Sequence, residues 1–457
     1  MQTRQPLSYH MRAHLRLGVP LIGSHIAQLS ITLTDTLMIG WYDVEALAAL
    51  VLAAELFFVM FIFGSGIALA VMPMVASAQA MGDEVQVRRI TRMGAWASIL
   101  FGLGILPILM SGRAMFLALG QDQVIADLGG QYLRIAGWGI LPALLVMVFK
   151  SFLSALERTQ VVLWITLAAV GLNAVLNYAL IFGHWGMPEL GIEGAAIASV
   201  LVNIASFLGL AIYTKHAVQD HALFVRLWRP DWEALRQVFR LGLPIGITML
   251  AESALFIASS IMMGWIGTLQ LAAHGIALSV ASITFMLYLG LANAATVRAG
   301  QAYGRRDITS LRDGAKAVII LCGLVAIVTI AVFILFPEVL ISAFMSPDEP
   351  NRAAVLAVGV GLMAAAALFQ FMDAAQVLAL GLLRGVQDTT VPMWIAAFSY
   401  WIVGVPVSYV LGFSVGLGGV GIWLGLAIGL ALCSVLLMAR FWLGSGRGTG
   451  PSWNVET

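Results

Sequence analysis

The sequence predicts an all-α integral membrane protein: twelve transmembrane helices in two homologous six-helix lobes around a central cavity. Three observations carry that expectation: the composition, the number and length of the apolar runs, and an internal repeat. Of 457 residues, 61% are hydrophobic and only 10% charged, against about 45–50% and 25% in a soluble globular domain. So few charges would not cover the surface of a water-soluble enzyme of this length. The high apolar content at a net charge of +1 also excludes disorder. Balanced basic and acidic residues, 24 against 23, leave no basic field for nucleic acid, and no such partner is expected.

A bilayer core needs about 20 helical residues, and the apolar runs supply twelve such spans. The polar, basic segment Met1–Arg16, with Arg4, Arg12 and Arg16, leads into span one at 17–40, which is read as retained because no small-residue cleavage site precedes it. Spans two (50–75) and three (93–112) flank Arg88, Arg89 and Arg92. Spans four (133–153) and five (161–183) flank Arg158, and Lys150 lies near the inner end of span four. Span six (194–214) precedes a link holding Lys215, Arg226, Arg229, Arg236 and Arg240. Spans seven (240–263) and eight (271–297) lead to Arg298, Arg305, Arg306, Arg312 and Lys316. Spans nine (315–336), ten (353–382), eleven (391–413) and twelve (417–443) complete the set, with Arg384 between ten and eleven and Arg440 and Arg447 at the end. Every second loop is therefore basic, whereas the alternate side holds only Arg113, Arg134 and Arg352. Cytoplasmic loops carry the Lys and Arg, so both termini are expected inside. A missed or invented span would invert the pattern after it. The runs are too long, and alternate too little, for barrel strands.

The repeat is visible at an offset of about 224 residues. Arg16-Leu17-Gly18-Val19-Pro20 recurs as Arg240-Leu241-Gly242-Leu243-Pro244, Gly40-Trp41 as Gly264-Trp265, and Leu47-Ala48-Ala49 as Leu271-Ala272-Ala273. Gln79-Ala80-Met81-Gly82 recurs as Gln301-Ala302-Tyr303-Gly304, and at an offset near 230 Thr159 and Trp164 match Thr389 and Trp394. Six spans per copy give both halves the same sense across the membrane, an arrangement associated with lobes that rock about a central site. The expected domains are a first lobe at 1–214, a cytoplasmic linker at 215–239 and a second lobe at 240–457.

Ionisable groups at bilayer depth cost about 2.5–3.5 kcal/mol and point to function. Asp35, Glu252 and Asp373 lie well inside spans one, seven and ten, with no Lys or Arg at comparable depth in the sequence. A proton can neutralise such a carboxyl, or a bound cation can pair with it; the bland alternative is capping by neighbouring amides and hydroxyls. At the repeat offset Glu252 falls on Gln28 and Asp35 on Ser259, so the lobes differ in their charges. Asn173 and Asn177 share a helical face, suited to coordinating a cation, holding a carboxyl or bonding between helices. Ser199 is a weaker indicator, with helix packing as the alternative. Gln370, Asp373 and Gln376 form one polar stripe on span ten and suggest a cavity wall. His25 and His274 are read as satisfied interior histidines, and Cys322 and Cys433 as small apolar fillers with no disulfide or zinc spacing. The 21 methionines and 44 aromatic residues could line an adaptable cavity or simply face lipid.

No nucleotide-binding loop, nucleophile elbow or His-Glu-x-x-His motif is present, so neither an enzyme nor ATP drive is expected. A potassium-type filter sequence is missing as well.

Four segments resemble the multidrug and toxic compound extrusion (MATE) family, in its bacterial NorM-like branch. They are Thr34-Asp35-Thr36-Leu37-Met38-Ile39-Gly40, Leu271-Ala272-Ala273-His274, Ala294-Ala295-Thr296-Val297-Arg298-Ala299-Gly300 and Gly381-Leu382-Leu383-Arg384-Gly385-Val386-Gln387-Asp388-Thr389. The resemblance implies antiport of sodium ions or protons against amphipathic, often cationic drugs and dyes, by rocking-type alternating access. It implies a coupling-cation site at Glu252 and Asp373, where sodium is the candidate metal, and a first-lobe proton or ion site at Asp35, Asn173, Asn177 and Ser199. Gln370 and Gln376 are expected to line the cavity. Phe369 stands where a tyrosine often neighbours the second-lobe cation. Expected besides are a bacterial inner-membrane location, lipid as surroundings, a monomer, and no cofactor beyond the coupling ion. A lipid or lipid-linked saccharide flippase of a related superfamily is the alternative, disfavoured because its anionic cargo calls for a basic cavity whereas the deep charges here are acidic.

Overall fold

The structure, a computed structural model, describes residues 5–225, 227–347 and 350–448. Arg4 and Arg226, counted above among the inside charges, lie outside the described residues, as does the side chain of Arg447. Among the described residues, twelve helices are long and apolar enough to cross a membrane, one for each expected span. They are α1 (Leu7–Tyr42), α2 (Val44–Ala80), α3 (Glu84–Met110), α4 (Gln123–Ala155), α5 (Thr159–Phe182), α6 (Gly191–Ala217), α7 (Trp232–Ile266), α8 (Thr268–Gly304), α9 (Ile308–Leu335), α10 (Arg352–Gly385), α11 (Thr390–Ser414) and α12 (Gly418–Leu443). Among the described residues there is no strand.

Several helices outrun the apolar runs that predicted them. Hydropathy stops at the first charged residue, but helical hydrogen bonding continues until a cap ends it. Asp83 starts α3 by accepting the Gln86 amide at 2.9 Å. Its repeat counterpart Asp307 starts α9 by accepting the Ser310 amide, also at 2.9 Å. Each such cap satisfies one of the amides that a helix N-terminus leaves open.

The helices form two compact units. One spans Gly23–Gly246; the other joins the residues up to Ile22 to those from Ile247 onward. The division therefore runs within α1 and α7, not through 215–239 as the sequence reading placed it. Glycines at repeat-equivalent positions explain the difference. A Cβ at Gly242 of α7 would collide with Ile67 of α2, and one at Gly66 with Gly246. In the other half, a Cβ at Gly18 of α1 would press on Leu291 of α8, and one at Gly290 would collide with Ile22. Bare backbones let each pair of helices close up. The first helix of each half thus sends its opening turns into the unit built mainly from the other half. Pro20 and Pro244 lie inside these helices, just before the divide.

The 215–239 segment is docked on the Gly23–Gly246 unit. Arg92 donates to the Val225 carbonyl at 2.9 Å and Trp96 to the Leu227 carbonyl at 2.8 Å. Arg89 donates to Asp231 at 3.1 Å and to Glu233 at 2.9 Å. The Arg89 guanidinium holds the Asp231 carboxyl below the usual carboxylate range.

Candidate functional site

The three membrane acids fall into two clusters, one per unit. In the Gly23–Gly246 unit, α1 presents Asp35 to α5 and α6. Asn173 and Asn177, one turn apart on α5 and fully buried, both donate to Asp35 Oδ1, at 2.8 and 2.6 Å. Ser199 of α6 donates to Oδ2 at 3.2 Å. The structure thus brings together all four residues expected for this site. Asn203, one turn beyond, donates to the Ser199 carbonyl at 3.0 Å. Tyr132 of α4 is buried beside Ser199 and Asp35. The sequence reading missed Tyr132, because a tyrosine near the end of a span looks like an interfacial ring.

In the second unit, α7 supplies Glu252 and α10 supplies Gln370, Asp373 and Gln376. All three α10 side chains are buried, as their spacing on one stripe anticipated. Asp373 and Glu252 lie close enough to act on one another electrostatically, and Gln376 neighbours Glu252. Glu252 Oε1, Asp373 Oδ1 and Gln370 Oε1 are buried with no hydrogen-bond partner. Gln370 spends its amide on the Ala281 carbonyl at 3.4 Å. Three inward oxygens without donors are costly, since each unpaired buried group loses about 1–3 kcal/mol and a charged one more. The set is rich in oxygen acceptors, as a hard cation requires. Among the described residues no group of three or more His, Cys, Asp or Glu could hold a metal, so a zinc-type centre has no ligand set.

One expectation needs amending. Arg384, in the last turn of α10, was read as a loop charge with no bearing on the deep acids. Its charge reaches Glu252 and also Tyr400, although no ion pair within 4.0 Å joins it to either acid among the described residues. Tyr400 lies in a π-helical stretch of α11, Phe398–Gly404, a widened turn of a kind frequent at functional sites. Its ring is fully buried. No sequence signal marked this bulge.

The same unit holds a wall of rings and hydroxyls. Trp423 Nε1 donates to His274 Nδ1 at 3.1 Å. His274 Nε2 meets Ser260 Oγ at 3.2 Å and Ser259 Oγ at 3.4 Å. Accepting at Nδ1 fixes the neutral ring with its proton on Nε2, the satisfied interior histidine that the sequence suggested. Phe369 packs edge-on against Trp423, with centroids 5.2 Å apart, and against Phe256 at 5.9 Å. It serves the wall and offers no oxygen to the acids. Cys322 and Cys433 are free and buried.

Comparison with known proteins agrees with this architecture. The MatE family profile matches residues 20–179 and 244–410. A probable multidrug resistance protein NorM from Rhizobium meliloti is 48% identical over 94% of this chain and 93% of its own. The multidrug resistance protein NorM of Burkholderia vietnamiensis is 35% identical over 96% and 95%. Among solved structures, a MOP superfamily transporter from Pyrococcus furiosus superposes with a TM-score of 0.87 at 19% identity, covering 96% of each chain. A MATE crystallised in complex with MaL6 gives 0.87 at 19% identity, over 96% and 98%. These structures share the fold, and the matched profile together with the close NorM relatives settles the family: the chain belongs to the MatE family of multidrug membrane transporters, a family of carriers and not of enzymes.

Proposed function

We propose that this transporter exports amphipathic, often cationic organic compounds in exchange for sodium ions or protons. Membership of the multidrug family supports the export of small molecules. The observation that carries the exchange is the pair of deep acids, Glu252 and Asp373, each with a buried oxygen lacking any donor. Such oxygens are satisfied by an arriving cation, which can be the coupling ion or the charged end of a drug, but not both at once. A ligand shifts a conformational equilibrium only through its differential affinity for the states, so competition at shared carboxylates is the simplest coupling between the two fluxes. The coupling ion occupies Glu252 and Asp373 from outside and drives the drug off; its release inside frees the acids for the next cargo, in an alternating-access cycle. The membrane potential adds about 2.3 kcal/mol per charge per 100 mV. Asp35, with Asn173, Asn177 and Ser199, serves as a second proton or ion site. Gln370 and Gln376 border the second-unit site. We place the protein in the bacterial inner membrane as a monomer with both termini cytoplasmic, on the strength of the alternating Lys and Arg loops.

The direct test is radiolabelled sodium binding to purified protein across pH, wild type against Glu252→Gln. Saturable sodium binding that the substitution removes supports sodium coupling. Dye efflux that persists with both sodium and proton gradients collapsed would defeat the exchange mechanism.

A further inference from the structure

We propose that the Gly23–Gly246 unit carries a site for an anionic group, centred on Lys150, which receives the carboxylate of anionic or zwitterionic amphipathic cargo. Lys150 lies on α4, half-buried, in a pocket it shares with Gln28, Thr166, Asn203 and Ser206 and with aliphatic side chains such as Ile31 and Val202. Its ammonium donates to Gln28 Oε1 at 3.2 Å. An ammonium carries three donors, and this amide takes one. None of the residues lining the pocket is acidic. His25, one turn before Gln28 on α1, lies near enough for the Lys150 charge to act on it, and it too is basic. The membrane acid of this unit, Asp35, gives its oxygens to Asn173, Asn177 and Ser199. It stands two turns beyond Gln28, roughly 10 Å along the helix.

The repeat sharpens the point. Gln28 is the counterpart of Glu252, and at the offset of the fourth and tenth helices Gln376 falls on Val146, one turn from Lys150. Helix faces that carry acids in one half carry a base in the other. The sequence places Lys150 near the inner end of span four, but its ammonium reaches in to Gln28 in the middle of α1, and an uncompensated cation there has the same need as an uncompensated acid, with the sign reversed. An oxyanion meets it, and the surrounding amides, hydroxyls and aliphatic carbons suit an amphipathic molecule. A cargo carboxylate and a lipid phosphate share this chemistry; the mixed lining of amides, hydroxyls and aliphatic side chains favours the cargo.

The inference rests on the export reading for its cargo, but its test needs no transport. Rhodamine B, which has a free carboxylate, and rhodamine B ethyl ester, which lacks it, are titrated against the full-length protein in phosphatidylcholine nanodiscs by fluorescence anisotropy. Lys150→Met should shift the affinity ratio towards the ester by about tenfold or more, the usual worth of a charge-assisted hydrogen bond, while ester affinity stays put and reports a folded protein. Lys150→Arg should keep the wild-type ratio, and Lys150→Gln should act like Lys150→Met, so the result does not hang on one variant. An unchanged ratio in both neutral variants overturns the site. Rhodamine B affinity that falls with added phosphatidylglycerol in wild type, but not in Lys150→Met, assigns the site to lipid phosphate and overturns the cargo assignment. Gradient-driven efflux is scored separately, so the two readings fail independently.

Discussion

The acids of the two units stand in opposite states of satisfaction. Asp35 receives three hydrogen bonds from Asn173, Asn177 and Ser199. Glu252 and Asp373 each keep an oxygen that nothing donates to. In one unit the carboxyl is met by the unit's own side chains; in the other, buried carboxyl oxygens are left without a donor. A cation approaching Asp35 must displace donors; at Glu252 and Asp373 it meets one oxygen on each that has no donor. The contrast teaches that depth in the membrane does not make two carboxylates equivalent; the donors around them set their roles.

The largest test of that contrast is Asp373→Asn. It should abolish gradient-driven dye efflux from cells while leaving expression and membrane insertion intact, and wild-type efflux from this variant would break the comparison at its strongest point. Next in size are the stabilities of the two clusters. Asn177→Ala removes one of the three donors that Asp35 uses and should cost about 1–3 kcal/mol in thermal unfolding of the purified protein. Gln376→Leu, beside the open site, should change stability by no more than about 1 kcal/mol in either direction; equal losses in both would show that the sites are satisfied alike. The smallest effect belongs to the docked segment. The Asp231 value lies below the ordinary carboxylate range in the folded protein, so its stabilisation is present above that range and lost as pH falls through the lowered value. Arg89→Ala should remove about 0.5–1 kcal/mol of docking at neutral pH. Faster proteolysis within 215–231 is the readout, by chymotrypsin at neutral pH and by pepsin at acid pH, where variant and wild type should be alike. Cleavage independent of both the substitution and the pH would show that Arg89 does not hold the segment.

Much of this was legible in the sequence. The twelve spans follow from apolar length, and the residues of both clusters follow from the cost of polar groups in lipid. Asn173 and Asn177 announced themselves as neighbours through helical spacing alone. Three things were hidden. The reach of Arg384 depends on where the last turn of α10 points, which hydropathy does not encode. The widened turn at Tyr400 is a change in backbone hydrogen bonding with no residue signature. The division of α1 and α7 depends on which glycine meets which across hundreds of residues, although the repeated Gly18 and Gly242 marked the places.

That crossing has a consequence for biosynthesis. The opening turns of α1 find their glycine-lined seat against Gly290 and Leu291 of α8, which leaves the ribosome more than two hundred residues later. Until then the first segment made is held in the bilayer without its neighbour, and the earliest half cannot finish assembling before the later one arrives. Long-range contacts of this kind slow folding. A chain severed in the 215–239 segment should mature only when both fragments are made in the same cell, each lending the other its first helix.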